Sequence, residues 1–564
     1  MREARGYHDW GSPMNQPIWH VSYPPDVPLT INPDAHPTVH AMLIEACEQH
    51  AARSAFDCLG ATLTFAEWER LSGSFAAFLI EGINRKLGDR IALMVPNMFA
   101  YPVAFLGSLR AGLTVVNVNP LYTPRELEYQ LNDSGATAIV IMENFAHKLQ
   151  DVIAKTDIDH VIVTRVGDFM PMIEQKFFNL ANKYFKRAVP SWDFQHFSML
   201  ADACNHSIGE GFTDAHPPSN AAALLQYTGG TTGVPKGALI SHRNLVANTM
   251  QCCAWIGSRL EVGAERILTP LPLYHIFALT ANLLTFANIG ALNVLVPDPR
   301  DLRALVTTMR RTQITVVSGV NTLFNALANN QDFQKLDFTK MKFAIAGGAA
   351  VQKSVASRWQ DITKMPLVEG YGLTEASPVV CINPLQAARI GTVGVPVPST
   401  EVSIRDDAGR VVAIGEAGEV WVRGPQVMQG YWRRPDETKH ILTSDAWLQT
   451  GDIGSMDSEG YVKLLDRKKD MIIVSGFKVF PNELEDVIAL HPGVLEVAAI
   501  GIPDAKTGQA VKLFVVKRDP ALTEAALREY SRDNFAAYKL PKVIEFRDEL
   551  PKSAIGKVLR KNLA

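Results

Sequence analysis

The stretch QYTGGTTGVPKGA at 226–238 constrains this chain more than any other part of it. It follows an apolar run at 221–225 and precedes a helix-like pattern at 243–250, and it packs four glycines and three threonines between positions 228 and 237. Glycine lets a backbone turn its N–H groups toward a ligand at positive φ, while threonine hydroxyls and one ammonium add further donors. Such a loop grips phosphate. It is not the loop of the P-loop NTPases, because Pro235 stands where they place the glycine before the lysine, and Gly237 where they need Ser or Thr. The bland alternative is a glycine-rich turn between two elements, and the rest of the chain decides between them.

At 564 residues and 47% apolar content the chain exceeds what one core supports, so two or more domains are expected. A net charge of −3 gives no global attraction to nucleic acid, so no such partner is expected and an anionic ligand must be held by local features. The six cysteines (Cys47, Cys58, Cys204, Cys252, Cys253, Cys381) show no C-x-x-C spacing and read as reduced thiols of a cytoplasmic protein. The amino terminus carries Arg2, Glu3, Arg5 and Asp9 and no apolar core of a secretory leader. The run 276–296 lacks charge over 21 positions, yet Asn282, Asn288, Gly290 and Asn293 divide it into a buried helix and a strand at 291–296 rather than a membrane span.

A helical pattern covers 38–80. Beyond it, apolar runs at 89–95, 114–119, 136–141 and 159–163 alternate with helical patterns at 101–112 and 125–133, which indicates a largely parallel α/β architecture. On a helix over 169–190, Ile173, Phe177, Leu180 and Tyr184 share one face, with Lys176, Lys183, Lys186 and Arg187 on the polar side. That is the profile of a helix lying on a membrane surface; the alternative is a face packed on the protein's own core. Strands at 494–502, 510–517 and 543–546 with a helix at 524–534 make a small terminal α+β domain.

Further motifs stand in order: His275 after the Pro-rich TPLPLY, a Gly347-Gly348 turn ending an apolar strand, EGYGLTE at 369–375, TGD at 450–452, a charged run beginning at Asp466, and LPKSAIGK ending at Lys557. With these and the glycine–threonine loop, the chain resembles the adenylate-forming superfamily. Outside them it is most similar to bacterial long-chain fatty acid–CoA ligases, notably at NPLYTPREL (119–127) and GPQVM (424–428).

The resemblance implies a large multi-subdomain α/β domain over 1–465 joined by a hinge to a mobile α+β domain over 466–564. It implies ATP-dependent activation of long-chain fatty acids to acyl-CoA through an acyl-adenylate, with Mg²⁺ as cofactor and coenzyme A as acceptor, feeding β-oxidation or lipid synthesis. Tyr227, Thr228, Gly229, Gly230, Thr231, Gly233 and Lys236 would hold the nucleotide, with Thr232 at the reacting phosphate. Gly347, Gly348 and Ala349 would lie along the adenine beside Tyr371, flanked by Glu369, Gly370 and Gly372. Thr374 would meet the α-phosphate, Glu375 and Thr228 the magnesium, Asp452 the ribose hydroxyls and Arg467 the nucleotide. Lys469 would be the hinge, Gly476 and Lys478 would line a thiol channel for CoA, and His275 would sit near the substrate carboxylate. Leu279 and residues 317–327 would line the aliphatic tunnel, and Lys557 would be the catalytic lysine. Two rivals are a fatty acyl-AMP ligase that loads a carrier protein and a non-catalytic nucleotide- or acyl-binding protein. The first typically carries an insertion near the domain boundary, and none is apparent; Lys557 and Glu375 argue against the second. Peripheral contact with the inner membrane and a homodimer complete the expectations.

Overall fold

Apolar runs become strands where both faces are covered, and Ala138–Met142 and Val316–Gly319 are buried along their whole length. The computed structural model describes residues 17–185, 188–209, 212–228, 235–553 and 556–563. Among them the strands form four sheets. An eight-stranded sheet runs through Gly430–Tyr431, Lys236–Ser241, Ala222–Thr228, Thr114–Asn117, Arg90–Met94, Ala138–Met142, His160–Thr164 and Phe197–Met199, parallel from Ala222–Thr228 onward. A nine-stranded sheet runs through Val395–Pro396, Val379–Ile382, Leu367–Gly372, Phe343–Ala346, Val316–Gly319, Arg266–Thr269, Leu292–Leu295, Ser54–Cys58 and Ala61–Thr64; it is parallel from Leu367–Gly372 to Ser54–Cys58.

One core joins these two sheets. Phe56 and Leu295 of the larger sheet and Ile91, Val115 and Leu224 of the smaller belong to one buried cluster, together with Trp68, Phe75, Tyr101 and Phe105 from the helices Phe65–Ala77 and Ala100–Arg110. Two smaller sheets follow. The first is antiparallel, in the order Glu401–Arg405, Gly418–Arg423, Leu448–Met456, Val462–Arg467. The last contains Phe477–Val479, Ile472–Val474, Gly508–Lys517 and Val494–Asp504, with Pro541–Arg547 added parallel to Gly508–Lys517. Leu465 lies inside the strand Val462–Arg467, and the change to the last sheet comes between Arg467 and Ile472.

The helical pattern over 38–80 is broken in the structure. Helices Val39–Gln49 and Phe65–Ala77 flank a hairpin of Ser54–Cys58 and Ala61–Thr64, turned at Leu59 and Gly60, both with positive φ. Thr64 and Glu67 form a reciprocal cap that starts the second helix afresh, a signal that a purely apolar periodicity overlooks. The uncharged run at 276–296 does divide into helix and strand, with helical turns over Ile276–Ala278, Leu279–Leu284 and Thr285–Asn288 before Leu292–Leu295. Among the described residues no helix is long and apolar enough to cross a membrane. On the helix Met172–Leu180 Phe178 packs against the core, while the apolar face read from the sequence does not: Ile173, Phe177, Leu180 and the following Tyr184 are 81%, 65%, 53% and 63% exposed. All six cysteines are free, and five of them are buried.

Candidate active site

Parallel strands gather their carboxyl ends on one edge, and in open α/β sheets ligands bind there. Asn117, Thr228, Val320, Gly347 and Gly372, each at or just beyond the end of a strand, line one cavity of about 2010 Å³. Every described member of the expected nucleotide set lines it too: Tyr227 and Lys236, residues 347–349, 369–372, 374 and 375, Asp452, Arg467 and Lys469, together with His275 and Lys557. Gly229, Gly230, Thr231, Thr232 and Gly233 lie outside the described residues. Gly476 and Lys478 are not brought to the cavity; they sit exposed on the hairpin of Ile472–Val474 and Phe477–Val479.

The two ends of the glycine–threonine loop are tied by residues far away in sequence. Tyr227 donates to Asp133 Oδ2 at 2.7 Å, and the other oxygen of Asp133 accepts from Arg434 at 2.7 Å. Lys236 pairs with Glu437 and lies 5.3 Å from the centre of the Tyr431 ring. The Tyr431 hydroxyl donates to Glu375 Oε1 at 2.7 Å, so the loop lysine and the carboxylate of EGYGLTE share one aromatic neighbour. Sequence reading missed Asp133, Tyr431 and Glu437. What brings Tyr431 there is the pairing of Gly430–Tyr431 with Lys236–Ser241 across nearly two hundred positions, which no local pattern announces.

Tyr371 donates to Asp452 Oδ2 at 2.6 Å, and Asp452 Oδ1 accepts from Arg467 Nε at 2.8 Å. Burial, then the Asp452 carboxylate, holds the Tyr371 phenol well above its ordinary range, so it stays a donor. Glu369 accepts from the backbone of Val351 (3.2 Å) and Gly391 (3.3 Å), yet burial pushes its carboxyl up to about 7. Gly347 is glycine for a reason beyond the ligand: a Cβ there would meet the Phe277 ring at 3.0 Å. Gly372 is stricter, with Pro378 O 2.2 Å from where its Cβ would be.

Lys557 rides a tight loop in which Gly556 donates to Ser553 O and Lys557 to Ser553 Oγ, at 2.8 and 3.1 Å. Burial, reinforced by the Arg467 guanidinium, brings its amine down to about 8. Burial, with Lys557 as the neighbouring charge, brings the His275 imidazole down to about 4, so the ring is neutral near pH 7. His275 Nδ1 accepts from the Phe277 N–H at 3.3 Å, which leaves the proton of the neutral ring on Nε2. Apolar side chains line the same cavity as well, among them Cys252, Ile256, Ala281 and Phe286. Leu279 is instead fully buried in the shared core and does not line the cavity, while Val320, Asn321 and Thr322 of the 317–327 stretch do.

Two family models match: AMP-binding enzyme over residues 43–432, and AMP-binding enzyme C-terminal domain over 483–557. The chain is 51% identical over 547 residues to a long-chain-fatty-acid–CoA ligase of Salmonella typhimurium, covering 97% of each chain. It is 45% identical over 552 residues to the enzyme of that name from Haemophilus influenzae, covering 97% of this chain and 98% of that one. Among solved structures, ATP-bound MatB from Rhodopseudomonas palustris superposes with a TM-score of 0.80 at 26% identity, covering 93% of this chain and 98% of that one. The anthranilate CoA ligase AuaEII in complex with anthranoyl-AMP shares the fold, with a TM-score of 0.83 at 24% identity over 95% and 97% of the two chains. The chain belongs to the AMP-binding enzymes and, within them, to the long-chain-fatty-acid–CoA ligases.

Proposed function

We propose that this protein activates long-chain fatty acids to acyl-CoA with ATP, through an acyl-adenylate, supplying β-oxidation or lipid synthesis. The observation that carries this reading is one cavity lined both by the nucleotide-type strand ends and by apolar side chains, with His275 and Lys557 on its wall, where burial and then the Lys557 charge lower the imidazole. In the first step a carboxylate oxygen attacks the α-phosphorus, the bond to the bridging oxygen breaks, and pyrophosphate leaves. A poor nucleophile meets an anion, so the barrier is largely electrostatic, and the Lys557 ammonium and the N–H-rich loop ending at Lys236 offset the developing charge. The neutral His275 can donate Nε2–H to the substrate carboxylate without adding a proton to the balance.

Magnesium fits the donor set. Glu375 and Thr228 offer oxygen ligands at the cavity, and this ion takes one or two carboxylates with phosphate oxygens; bound there, it would neutralise charge on the phosphates. Adenine lies by 347–349 and Tyr371, and the ribose hydroxyls lie on Asp452. The chain up to the pivot Lys469 and the chain beyond it act as two bodies, the change of sheet falling between Arg467 and Ile472. In the second step the smaller turns about Lys469, withdraws Lys557 and brings Gly476 and Lys478 to the thiol of CoA. The thiol sulfur bonds the acyl carbon, the carbon–oxygen bond to AMP breaks, and the thiol proton goes to solvent.

AMP release with ATP, Mg²⁺ and CoA across saturated acids of increasing length, beside Lys557→Ala, tests this. Turnover that peaks at long chains and falls about a hundredfold or more in the variant supports it. Acyl-adenylate without thioester transfers the reading to a carrier-loading ligase, and no acid-dependent AMP rejects turnover altogether.

The exposed apolar face of Met172–Leu180 supports peripheral contact with an anionic membrane surface on the cytoplasmic side. Changing Lys176, Lys183, Lys186 and Arg187 to Glu abolishes sedimentation with anionic vesicles; unchanged sedimentation rejects the contact. Sedimentation equilibrium without vesicles decides whether two copies form the expected homodimer.

A further inference from the structure

Three residues beyond Lys557, Arg560 is held by every polar edge of its guanidinium. Nε and Nη2 donate to Glu485 Oε1 at 3.0 and 2.8 Å, Nη1 to Asp466 Oδ1 at 2.9 Å, and Nη2 to Asn482 Oδ1 at 2.6 Å. The Asp466 side chain is 1% exposed and accepts two more bonds, from the backbone N–H of Arg467 and of Asn482, each at 2.8 Å. A buried carboxylate with three donors is a fixed anchor.

The partners belong to different elements. Asn482 and Glu485 lie on the helix Pro481–Ile488, which packs on the last sheet, as does the loop carrying Arg560 itself. Asp466 lies on the strand Val462–Arg467, paired with the strand of Asp452; its neighbour Arg467 holds the Asp452 carboxylate. Arg560 therefore ties the loop of Lys557 to the strand that places Arg467 and Asp452 in the cavity. Lys469, the proposed pivot, falls between Asp466 and the helix. Turning about it moves Arg560, Asn482 and Glu485 as one body and leaves Asp466 behind.

We infer that Arg560 is a positioning residue whose bond to Asp466 is a latch: closed, it seats Lys557 for adenylation, and it opens before the thioester step. This rests on the two-step reading above. A contact biases an equilibrium only by what differs between the two states. The Arg560–Glu485 pair persists through the turn, whereas the Arg560–Asp466 bond is made in one arrangement alone. A second contact has the same polarity: Thr322, beyond the end of Val316–Gly319, donates to Gly556 O at 3.0 Å, and any Cβ on Gly556 would come within 2.7 Å of that hydroxyl.

The test separates the half-reactions in the full-length protein. Acid-dependent ATP–pyrophosphate exchange reports the first, and thioester formation from supplied acyl-adenylate and CoA reports the second. Asp466→Asn, which weakens the latch and leaves the Arg560–Glu485 pair intact, lowers exchange about ten- to a hundredfold, while the thioester step keeps or exceeds its wild-type rate. Arg560→Lys keeps the charge but loses the fork, and shifts the ratio of the two rates in the same direction. Equal loss in both half-reactions reduces Arg560 to a structural role and overturns the latch, as does no change in either. Wild-type protein that forms thioester from supplied acyl-adenylate but shows no exchange overturns the two-step reading beneath it.

Discussion

Lys557 has a working range set by its surroundings. Its amine, ordinarily near 10.5, is brought down to about 8 by burial first and by Arg467 second, so in the free protein the ammonium dominates below that pH and is lost above it. The proposed adenylation step needs the charge. The kcat/KM for ATP in pyrophosphate exchange therefore falls about tenfold per unit above pH 8, and a profile flat to about pH 10 would place the charge elsewhere. Lys557→Ala lowers exchange roughly 10²–10³-fold, the range for removing one preorganised charge-stabilising donor. Glu369 shows the opposite logic. Its carboxyl is raised from 4.5 to about 7 by burial, so the folded chain keeps a proton that the unfolded chain releases. The stability this proton supports is fully present below pH 4.5 and drains away as pH rises to 7, at most about 3 kcal/mol in all. Glu369→Gln removes that slope. Its thermal midpoint should vary less between pH 4.5 and 7 than the wild type's; two parallel curves would show that Glu369 is not the titrating group.

At the scale of elements, what was legible in the sequence was whatever a local pattern specifies. The helix Pro124–Ser134 announces itself by Thr123 and Glu126 at its start, Pro124 at its first position and Gly135 at its end, and the structure uses all of them. The strand-plus-Gly-Gly at 343–348 and the segment EGYGLTE were equally readable from their glycines, and at Gly347 and Gly372 the structure sets a ring and a backbone carbonyl where a Cβ would stand. The hairpin at 54–64 was not, since its strands are short and flanked by helices of the same apolar content. Also hidden was the clamp on the ends of the glycine–threonine loop: Asp133, Tyr431 and Glu437 come from separate helices and strands, and no one-dimensional period links them. The exposed helix Met172–Leu180 was read as amphipathic, but which way its face points is a tertiary fact. That fact has a consequence for stability. Because Ile173 and Phe177 are 81% and 65% exposed, changing both to Ser should alter unfolding by no more than about 1 kcal/mol, against about 3–5 for a core aromatic. A loss of core size in urea titration would mean the face is covered in solution.

At the scale of the whole molecule, the two large sheets and the helices between them make one apolar body whose strand ends line one cavity, and on the proposed reading acyl-chain selection is a matter of how deep an apolar arm of it runs. Cys252 and Ile256 stand four residues apart on the helix His242–Ile256 and so share a face; both belong with Phe286 to one buried cluster, and all three line the cavity. The thiol of Cys252 is inert there, since burial pushes it up to about 12, and its part is to be small. Cys252→Phe should therefore shorten the arm without touching the nucleotide end. Each terminal carbon that no longer fits then loses roughly 10- to 200-fold in kcat/KM, while acids short enough to clear the new ring keep the wild-type rate. If instead all chain lengths lose activity together, the substitution has disturbed the shared core rather than the arm. If the longest acids are unaffected, the acyl chain runs elsewhere, and the joining of an apolar arm to the nucleotide site in one cavity would no longer account for a preference for long chains.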